Sequence, residues 1–196
     1  MKILNLYAGI GGNRKLWGDE HEVTAVEINE DIAGEYKNNF PNDEVIIGDA
    51  HEYLLRHYKE FDFIWSSPPC PTHSVLNYSM PLKRYPSMVL YQEIILLQNW
   101  FKGKWVVENV KPYYEPLIKP TVFLGRHPFW SNFDIKSKEF NNVDVARSNS
   151  EELSKDLNIP VPRCQKARLL LRNCVNPEMA LYILKMAFKE KQEILN

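Results

Sequence analysis

Residues 3–12, Ile-Leu-Asn-Leu-Tyr-Ala-Gly-Ile-Gly-Gly, decide the fold because they join an apolar run to a glycine-rich turn. The run Ile3–Tyr7 predicts a buried strand, and Ala8–Gly12 predicts a turn that opens a helix reaching about Trp17. Glycines let the backbone bend sharply there, and they let a ligand approach main-chain amides at the start of the helix. This stretch therefore predicts the first strand–turn–helix unit of an open α/β sheet.

The alternation of strands and helices continues outward from this stretch through the first half of the chain. The predicted strands are 23–28, 45–47, 61–65 and 105–107, and the predicted helices are 31–39, 52–58 and 88–100. Because strands and helices alternating at this spacing build βαβ units, we predict an α/β fold with a doubly wound, mostly parallel sheet.

Beyond Pro112 the alternation ends, and the sequence predicts a small irregular or β part. Prolines at 112, 116, 120 and 128 interrupt the segment and favour a β-hairpin or irregular structure. The polar segment 136–154 predicts a surface connection or a short recognition element. A last helix is expected over 177–189, with Pro177 in its first turn.

The composition limits the class and the location of the protein. The chain has 196 residues, of which 44% are hydrophobic and 25% charged, which suits a single globular domain. It contains neither a signal-peptide pattern nor an apolar run of membrane-spanning length, so no membrane partner is expected. Its three cysteines, Cys70, Cys164 and Cys174, are too few for a disulfide framework, and we expect a cytoplasmic protein.

The net charge of −1 argues against a broadly basic surface of the kind that nucleic-acid binders usually carry. Any basic surface must therefore be local. The candidate positions are scattered charges that are more often a solvated face: Lys83, Arg84, Lys102, Lys104, Arg163, Lys166, Arg168 and Arg172.

Two acidic residues follow the glycine turn at positions that suit a nucleoside cofactor. Glu27 closes the second predicted strand, where a carboxylate can hold ribose hydroxyls, and Asp49 closes the third, where it can accept a hydrogen bond from an adenine amine. The third glycine of the dinucleotide fingerprint is absent, because Arg14 stands in its place. A tight structural turn remains the alternative, but a cofactor other than a nicotinamide dinucleotide is favoured.

Two reactive side chains follow the fourth and fifth predicted strands. Cys70 follows the stiff sequence Ser66-Ser67-Pro68-Pro69, which fixes the direction of its thiol beside the cofactor edge. A thiol in that place can act as a nucleophile, although a lone cysteine is more often structural. Glu108 ends the fifth strand, and in a dry pocket a glutamic acid can stay protonated and donate to a ring nitrogen. A turn cap or a surface acid is the alternative.

These segments together resemble the ordered motifs of the cytosine carbon-5 DNA methyltransferases. The resemblance covers about residues 4–183. The short chain is similar to compact, bacteriophage-type members of the family. It rests on residues 7–12, Glu27, Gly48-Asp49, Pro68-Pro69-Cys70, Glu108-Asn109-Val110 and the tail 172–177. It implies a Rossmann-like methyltransferase fold, S-adenosylmethionine as cofactor, DNA as partner, and a single domain 1–196 whose segment 164–190 returns to the cofactor pocket.

The resemblance also implies roles for individual residues. The implied catalytic residues are Cys70, as nucleophile on carbon 6, and Glu108, at the ring nitrogen of a cytosine turned out of the helix. The implied cofactor-binding residues are Tyr7, Ala8, Gly9, Ile10, Gly11, Gly12, Glu27, Ile28, Asp49, Ala50, Pro69, Asn173, Cys174 and Val175. The implied substrate-binding residues are Ser67, Pro68, His73, Ser74 and Asn109, with the loop 71–84 closing over the base.

Three departures from the family pattern stand out. The family's glutamine-arginine-arginine motif has no clean copy, and Arg126 is the best substitute, with a surface arginine nearly as good an interpretation. Arg172 stands where the last motif normally has a glycine. Only residues 136–163 are free for target recognition, too few for an ordinary module. We therefore expect a short or relaxed target site, or recognition supplied by a partner or second subunit.

Other functions remain as alternatives. An RNA cytosine-5 methyltransferase would use the same residues. A catalytically impaired binding protein would explain the missing motifs but not the presence of both Cys70 and Glu108. An NAD-dependent oxidoreductase would account for the first half of the chain alone. Cys70-x-x-His73 has the spacing of two zinc ligands, but no second close pair completes a site, and no metal is expected.

Overall fold

The structure is a computed structural model that describes residues 1–75, 77, 80, 82, 84–140 and 147–189. Parts of the predicted closing loop 71–84, including Lys83, lie outside the described residues. So do residues 141–146 of the predicted recognition segment and the end of the chain from residue 190.

Within the described residues, seven strands form one sheet, in which the five strands β1–β5 pair in parallel. They run in the order β3-β2-β1-β4-β5-β7-β6, with β7 antiparallel to both of its neighbours. Their bounds are β1 Lys2–Leu6, β2 Glu22–Glu27, β3 Glu44–Ile47, β4 Phe63–Ser66, β5 Lys104–Glu108, β6 Val122–Leu124 and β7 His127–Ser131. The predicted doubly wound, mostly parallel sheet with a β-hairpin near its end is confirmed.

Six α-helices accompany the sheet in the described part of the chain. They are α1 Glu30–Asn39, α2 Ala50–His57, α3 Val89–Trp100, α4 Ser150–Leu157, α5 Ala167–Arg172 and α6 Pro177–Ala187. Short 3-10 turns cover Asn13–Leu16 and Tyr58–Glu60. None of the helices in the described ranges has the length and apolar character needed to cross a bilayer.

The sheet buries both of its faces, which the alternation of side chains along β4 makes visible. Phe63 and Trp65 face a cluster that includes Trp17 and Met179 of α6, whereas Ile64 faces the cluster under α3. Parallel strands covered by helices on both sides are nearly continuous in apolar residues, as β4 is. Full burial of each such large side chain contributes roughly 1.5–3 kcal/mol to folding before entropy is counted.

One local prediction was wrong: the expected helix after the glycine turn is only the 3-10 turn Asn13–Leu16. The segment 136–154, predicted as a surface connection or a short recognition element, runs into α4, which begins at Ser150. A capping box starts this helix, since Asn149 accepts from the Glu152 amide and the Glu152 side chain accepts from the Asn149 amide.

The strand order creates a switch point between β1 and β4. From β1 the chain proceeds outward to β2 and β3, and from β4 it proceeds in the opposite direction to β5. The carboxyl ends of parallel strands meet at one edge of the sheet, and a crevice opens where the order reverses. The glycine turn after β1 and Cys70 after β4 therefore emerge beside each other.

Candidate active site

A cleft of about 420 Å³ lies at this switch point. The volume falls within the range of pockets that bury a small-molecule ligand. The glycine turn after β1 forms one wall, here called the turn wall. The opposite wall, here called the reactive wall, consists of residues from the ends of β4 and β5 and the start of β7: Ser67, Pro68, Pro69, Cys70, Glu108, Asn109, Arg126 and His127.

The turn wall is built mainly from backbone. Tyr7 and Gly9 both have left-handed backbone conformations, with φ of 56° and 55°, and a side chain on Gly9 would meet only open space. Non-glycine residues rarely adopt such φ values, and they concentrate where a site needs an unusual chain path. Five predicted residues of this turn line the cleft: Tyr7, Ala8, Gly9, Ile10 and Gly12.

Gly11 and Gly12 serve a different purpose from Gly9, because both face packed protein. A Cβ on Gly11 would collide with the ring of Phe40, on the core side of the turn. A Cβ on Gly12 would lie 2.6 Å from the Cβ of Cys174. The glycine at position 12 thus lets the end of the chain close against the turn, whereas Gly11 itself does not line the cleft.

The acidic residues predicted for the cofactor lie at the adjoining edge of the sheet, outside the cleft lining. Glu27 ends β2 as predicted, and its carboxylate accepts from the Gly9 amide at 3.1 Å and the Asn29 amide at 3.0 Å. The neighbouring Ile28 is 69% exposed and can pack on a planar ring. Asp49, by contrast, stands two residues beyond the end of β3 and caps α2 by accepting from the Glu52 amide. Ala50, in the first turn of α2, is buried.

A fully buried carboxylate joins the two walls, and the sequence analysis missed it. Glu93 of α3 accepts from the Tyr7 hydroxyl at 2.6 Å and from the Ser66 hydroxyl at 2.5 Å, and it contacts His51 Nδ1 at 3.1 Å. Burial, and then the Glu93 charge, raise the pKa of Tyr7 above its usual range. The hydrogen bond to Glu93 likewise raises the pKa of His51. The available signal was a lone acid within the apolar sequence of α3.

Cys70 is held by a turn that its own carbonyl organises. The Cys70 oxygen accepts from the amides of His73, at 2.9 Å, and Ser74, at 3.1 Å, while the Asn109 side chain donates to the Pro68 carbonyl at 3.0 Å. Burial raises the pKa of the half-buried Cys70 thiol, and the nearby Glu108 carboxylate raises it further. The positive charge of Arg126 lowers the pKa of Cys70 and so acts against the Glu108 carboxylate.

Glu108 is nearly buried at the end of β5, and the hairpin strand β7 holds it. His127 Nδ1 lies 2.5 Å from Glu108 Oε1, and Arg126 Nε donates to His127 Nε2 at 3.0 Å. The other end of the Arg126 guanidinium donates to the Arg172 carbonyl at 2.9 Å. Burial lowers the pKa of Arg126, while the charges of Glu108 and Cys70 oppose this shift. Arg126 therefore lies where the sequence predicted, and His127 is a site residue that the prediction missed.

His73 lies outside the cleft lining, contrary to its predicted contact with substrate. Its ring is buried, and its Nδ1 pairs with the Tyr114 hydroxyl at 2.6 Å, which in turn accepts from the Tyr91 hydroxyl at 3.1 Å. The Tyr113 amide donates to the His73 carbonyl. His73 thus anchors the turn after Cys70 to the segment after β5, and Ser74 beside it does line the cleft.

The connection between α5 and α6 closes the cleft on the side of the glycine turn. Asn173, Cys174 and Val175 line it as predicted, and Arg172 lines it as well. Burial raises the pKa of the Cys174 thiol to about 12. Among the described residues, no three His, Cys, Asp or Glu side chains gather into a possible metal site.

The described part of the predicted recognition segment packs in two places: residues 136–140 lie against Tyr182 of α6, and α4 packs beside the glycine turn. Leu153 and Leu157 of α4 form an apolar cluster with Ile10 and Leu171. Farther along, the Arg163 amide donates to Glu35 of α1 at 2.9 Å. The α4 part of 136–163 therefore supports the turn wall.

The fold and the cleft define an α/β protein with a small-molecule site at the switch point and a thiol and a carboxylate beside it. Residues 1–116, more than half of the chain, match the family model described as C-5 cytosine-specific DNA methylase. The chain therefore belongs to the C-5 cytosine-specific DNA methylase family.

Two curated relatives extend this result. The Type II methyltransferase M.Bsp6I of Bacillus sp. (strain RFL6) is 25% identical over 195 residues, which is 90% of this chain and 60% of the relative. A tRNA (cytosine(38)-C(5))-methyltransferase of Spodoptera frugiperda is 37% identical over 75 residues, 35% of this chain and 23% of the relative. The chain thus spans less than two thirds of the length of either relative.

Solved structures with a similar chain path include DNMT2 of Spodoptera frugiperda, with a TM-score of 0.39 and 28% identity over 56% of this chain and 35% of that one. Another is a hypothetical protein of Thermus thermophilus, with a TM-score of 0.46 and 18% identity over 66% of this chain and 73% of that one.

S-adenosylmethionine is the cofactor of this family and of this chain, and the turn wall fits it. Gly9 leaves open space where a side chain would obstruct a ligand, and Glu27 offers carboxylate oxygens suited to ribose hydroxyls. The exposed Ile28 side chain offers an apolar surface for the adenine. Asn173, which lines the same cleft, can hold the polar amino-acid end.

Proposed function

We propose that this protein methylates carbon 5 of cytosine in DNA, with Cys70 as the nucleophile and Glu108 as the acid that holds the base. The observation that carries the proposal is the presence of both side chains on one wall of a cleft whose other wall is the glycine turn. Membership of the C-5 cytosine-specific DNA methylase family supports it. So does the similarity to a Type II methyltransferase along nearly the whole chain.

The chemistry explains why a thiol and a carboxyl group are needed together. Cytosine carbon 5 is too electron-poor to attack a methyl donor unaided, so the ring must first be activated. The Cys70 sulfur adds to carbon 6 and pushes electrons into the ring, while Glu108 donates a hydrogen bond or proton to ring nitrogen N3. S-adenosylmethionine supplies a methyl group on a positively charged sulfur. Once carbon 5 carries that methyl group, a base removes the carbon 5 proton and the carbon 6–sulfur bond breaks.

Arg126 offsets the environment that keeps the Cys70 thiol protonated. Burial and the Glu108 charge raise the pKa of Cys70, and the Arg126 guanidinium acts against both. The thiolate is the nucleophilic form, so this guanidinium favours the reactive state. We assign Arg126 the place of the missing arginine motif. Ser67, Pro68, Ser74 and Asn109 then form the part of the wall that surrounds the base.

The base must leave the helix to reach this wall, since Cys70 lies inside a cleft and cannot enter a stacked duplex. Residues 136–140 pack on α6 and α4 packs on the turn wall, so little of the described part of 136–163 remains to read bases around the target. We propose a target of only a few base pairs, or recognition by a partner or second subunit. Bisulfite sequencing of exposed plasmid DNA would contradict the short-site proposal by revealing a long defined site.

Methylation of RNA is the second candidate, and the tRNA (cytosine(38)-C(5))-methyltransferase relative of Spodoptera frugiperda supports it. The proposed chemistry is identical, because both substrates present cytosine. Competition between labelled unmethylated DNA and transfer RNA, at equal nucleotide concentration and low salt, separates the two. We expect DNA to be methylated and to displace RNA; preferential labelling of transfer RNA would make RNA the substrate.

The central experiment follows a tritiated methyl group from S-adenosylmethionine into nucleic acid. We expect label in 5-methylcytosine with the native protein and none with Cys70→Ala. Cys164→Ala is the matched control, because Cys164 is an exposed free cysteine outside the cleft lining. Incorporation that survives in Cys70→Ala would exclude the covalent mechanism, and no incorporation into DNA or RNA by a protein that binds cofactor would indicate an impaired enzyme.

A further inference from the structure

His127 stands beside the proposed acid in a chain of three side chains. Glu108 of β5 lies directly opposite Phe129 of β7, and His127 is two residues before Phe129 on the same face of the sheet. Diagonal neighbours on one face of an antiparallel pair can touch, and here His127 Nδ1 reaches Glu108 Oε1 at 2.5 Å. Arg126 Nε then meets the other ring nitrogen, Nε2, at 3.0 Å.

The direction of these hydrogen bonds follows from the arginine. A guanidinium has donors and no acceptor, so Arg126 Nε–H donates and His127 Nε2 must accept. A ring nitrogen that accepts carries no proton, and a neutral imidazole then carries its proton on Nδ1. His127 therefore donates from Nδ1 to Glu108 Oε1. Arg126 thus fixes the Nδ1–H tautomer of His127, which is the less common one in free histidine, and Glu108 accepts the hydrogen bond from Nδ1.

We infer that His127 is a positioning residue that holds Oε1 of Glu108 and so turns the second carboxyl oxygen toward the base, with Arg126 setting the tautomer of His127. Glu108 lines the cleft, and no other side chain in the described ranges bonds its carboxylate. One oxygen held by a buried donor removes the rotational freedom of the carboxyl group. A reacting group held in this way loses less entropy when the base arrives.

The proton position of His127 can be measured on the native protein without any assay of activity. Long-range proton–nitrogen NMR correlations distinguish the Nδ1–H tautomer from the Nε2–H tautomer, and loss of the signal in His127→Asn assigns it. We expect the Nδ1–H form in the native protein, and a shift toward the Nε2–H form in Arg126→Leu. An Nε2–H or doubly protonated ring in the native protein would overturn the inference.

The expected effect of His127 on catalysis rests on the proposed function, and three substitutions of His127 test it. An asparagine amide can occupy the place of Nδ1, and a glutamine amide the place of Nε2, whereas leucine provides neither. For His127→Leu and His127→Gln we expect kcat to fall about 10- to 100-fold, as when the partner that orients a reactive group is lost, with little change in cofactor Kd or KM for DNA. His127→Asn should recover most of kcat.

The control is His57→Leu, which removes another His–Glu pair, 2.9 Å between His57 Nδ1 and Glu60 Oε1, at the surface outside the cleft lining. Its kcat should equal that of the native protein. Equal kcat in His127→Leu and the native protein, or equal rescue by Gln and Asn, would overturn the positioning role. A native protein that methylates neither DNA nor RNA would refute the proposed function, and the NMR tautomer would then decide the inference by itself.

Discussion

The two walls of the cleft are built on different principles. The turn wall is one continuous stretch, and it offers a ligand mostly backbone: a left-handed Tyr7, an open Gly9 and a Gly12 packed against Cys174. The reactive wall gathers side chains from three separate segments, since Cys70 follows β4, Glu108 ends β5, Arg126 directly precedes β7 and His127 begins it. The shape of the turn wall depends on where side chains are absent. The chemistry of the reactive wall depends on which side chains the fold brings close together.

The largest effect should come from Cys70→Ala, which breaks the reactive wall alone. We expect methyl transfer to fall by about 10³-fold or more, because covalent activation of the ring is lost. Cofactor Kd, measured by calorimetry, should change less than about threefold, because the turn wall is untouched. A comparable loss of cofactor affinity would show that the two walls do not act separately.

The next effect tests the link between the walls. Glu93→Leu removes the acceptor shared by Tyr7 on the turn wall and Ser66 at the end of β4, and leaves the buried Ser66 hydroxyl and the half-buried Tyr7 hydroxyl without this partner. We expect the free energy of unfolding in urea to fall by about 2–4 kcal/mol.

Glu93→Gln, which keeps one acceptor oxygen, should lose less than Glu93→Leu in the same measurement. The exposed Glu52→Leu, at a residue that pairs with Arg56 on the surface, is the control and should change stability by under about 1 kcal/mol. Equal stability of Glu93→Leu and the native protein would mean that Glu93 does not hold the walls together.

A smaller effect is expected on the turn wall from Gly12→Ala. The added Cβ would lie 2.6 Å from Cys174 Cβ, so the chain end must move away from the turn, at a cost of about 1–3 kcal/mol. We expect weaker cofactor binding in calorimetry, by about tenfold.

Recovery in the double variant Gly12→Ala/Cys174→Gly would identify the clash as the cause. Gly34→Ala in α1 is the control, since its added Cβ meets no atom within 4 Å and should slightly stabilise the helix. Full affinity in the single Gly12 variant would show that the turn wall tolerates side chains at this position.

The smallest effect concerns the charge balance at Cys70, and it sharpens the description of the reactive wall. Burial and Glu108 raise the pKa of Cys70, and Arg126 opposes them. In a Cys164→Ala background, the rate of Cys70 alkylation by iodoacetamide should therefore increase with pH well past pH 8.5, about the ordinary thiol pKa. Arg126→Gln should raise the Cys70 pKa further and slow alkylation at pH 8 a few-fold, and faster alkylation would contradict the assigned role of Arg126.

The two walls also differ in how far the sequence predicted them. Cys70, Glu108 and the glycine turn were recognisable because each follows a strand within a short local pattern. His127 and Glu93 were missed because a histidine in a hairpin and a glutamate in an apolar helix carry no local signal of a distant partner. Glu108 lies 19 residues before His127, and His51 lies 42 residues before Glu93. The resemblance placed His73 at the substrate as part of the loop 71–84, yet its ring is buried against Tyr114.

The sequence by itself determined the order of strands and helices in the first half of the chain, the turn that opens the cleft, and the residue types that can react, because these depend on hydrophobic periodicity and local backbone chemistry. Only the tertiary structure decided which polar groups share hydrogen bonds, that α4 packs on the glycine turn, and that β7 brings a histidine to Glu108. These features depend on contacts between segments far apart in the chain. Their geometry is set by the packing of the whole sheet, which no local stretch encodes.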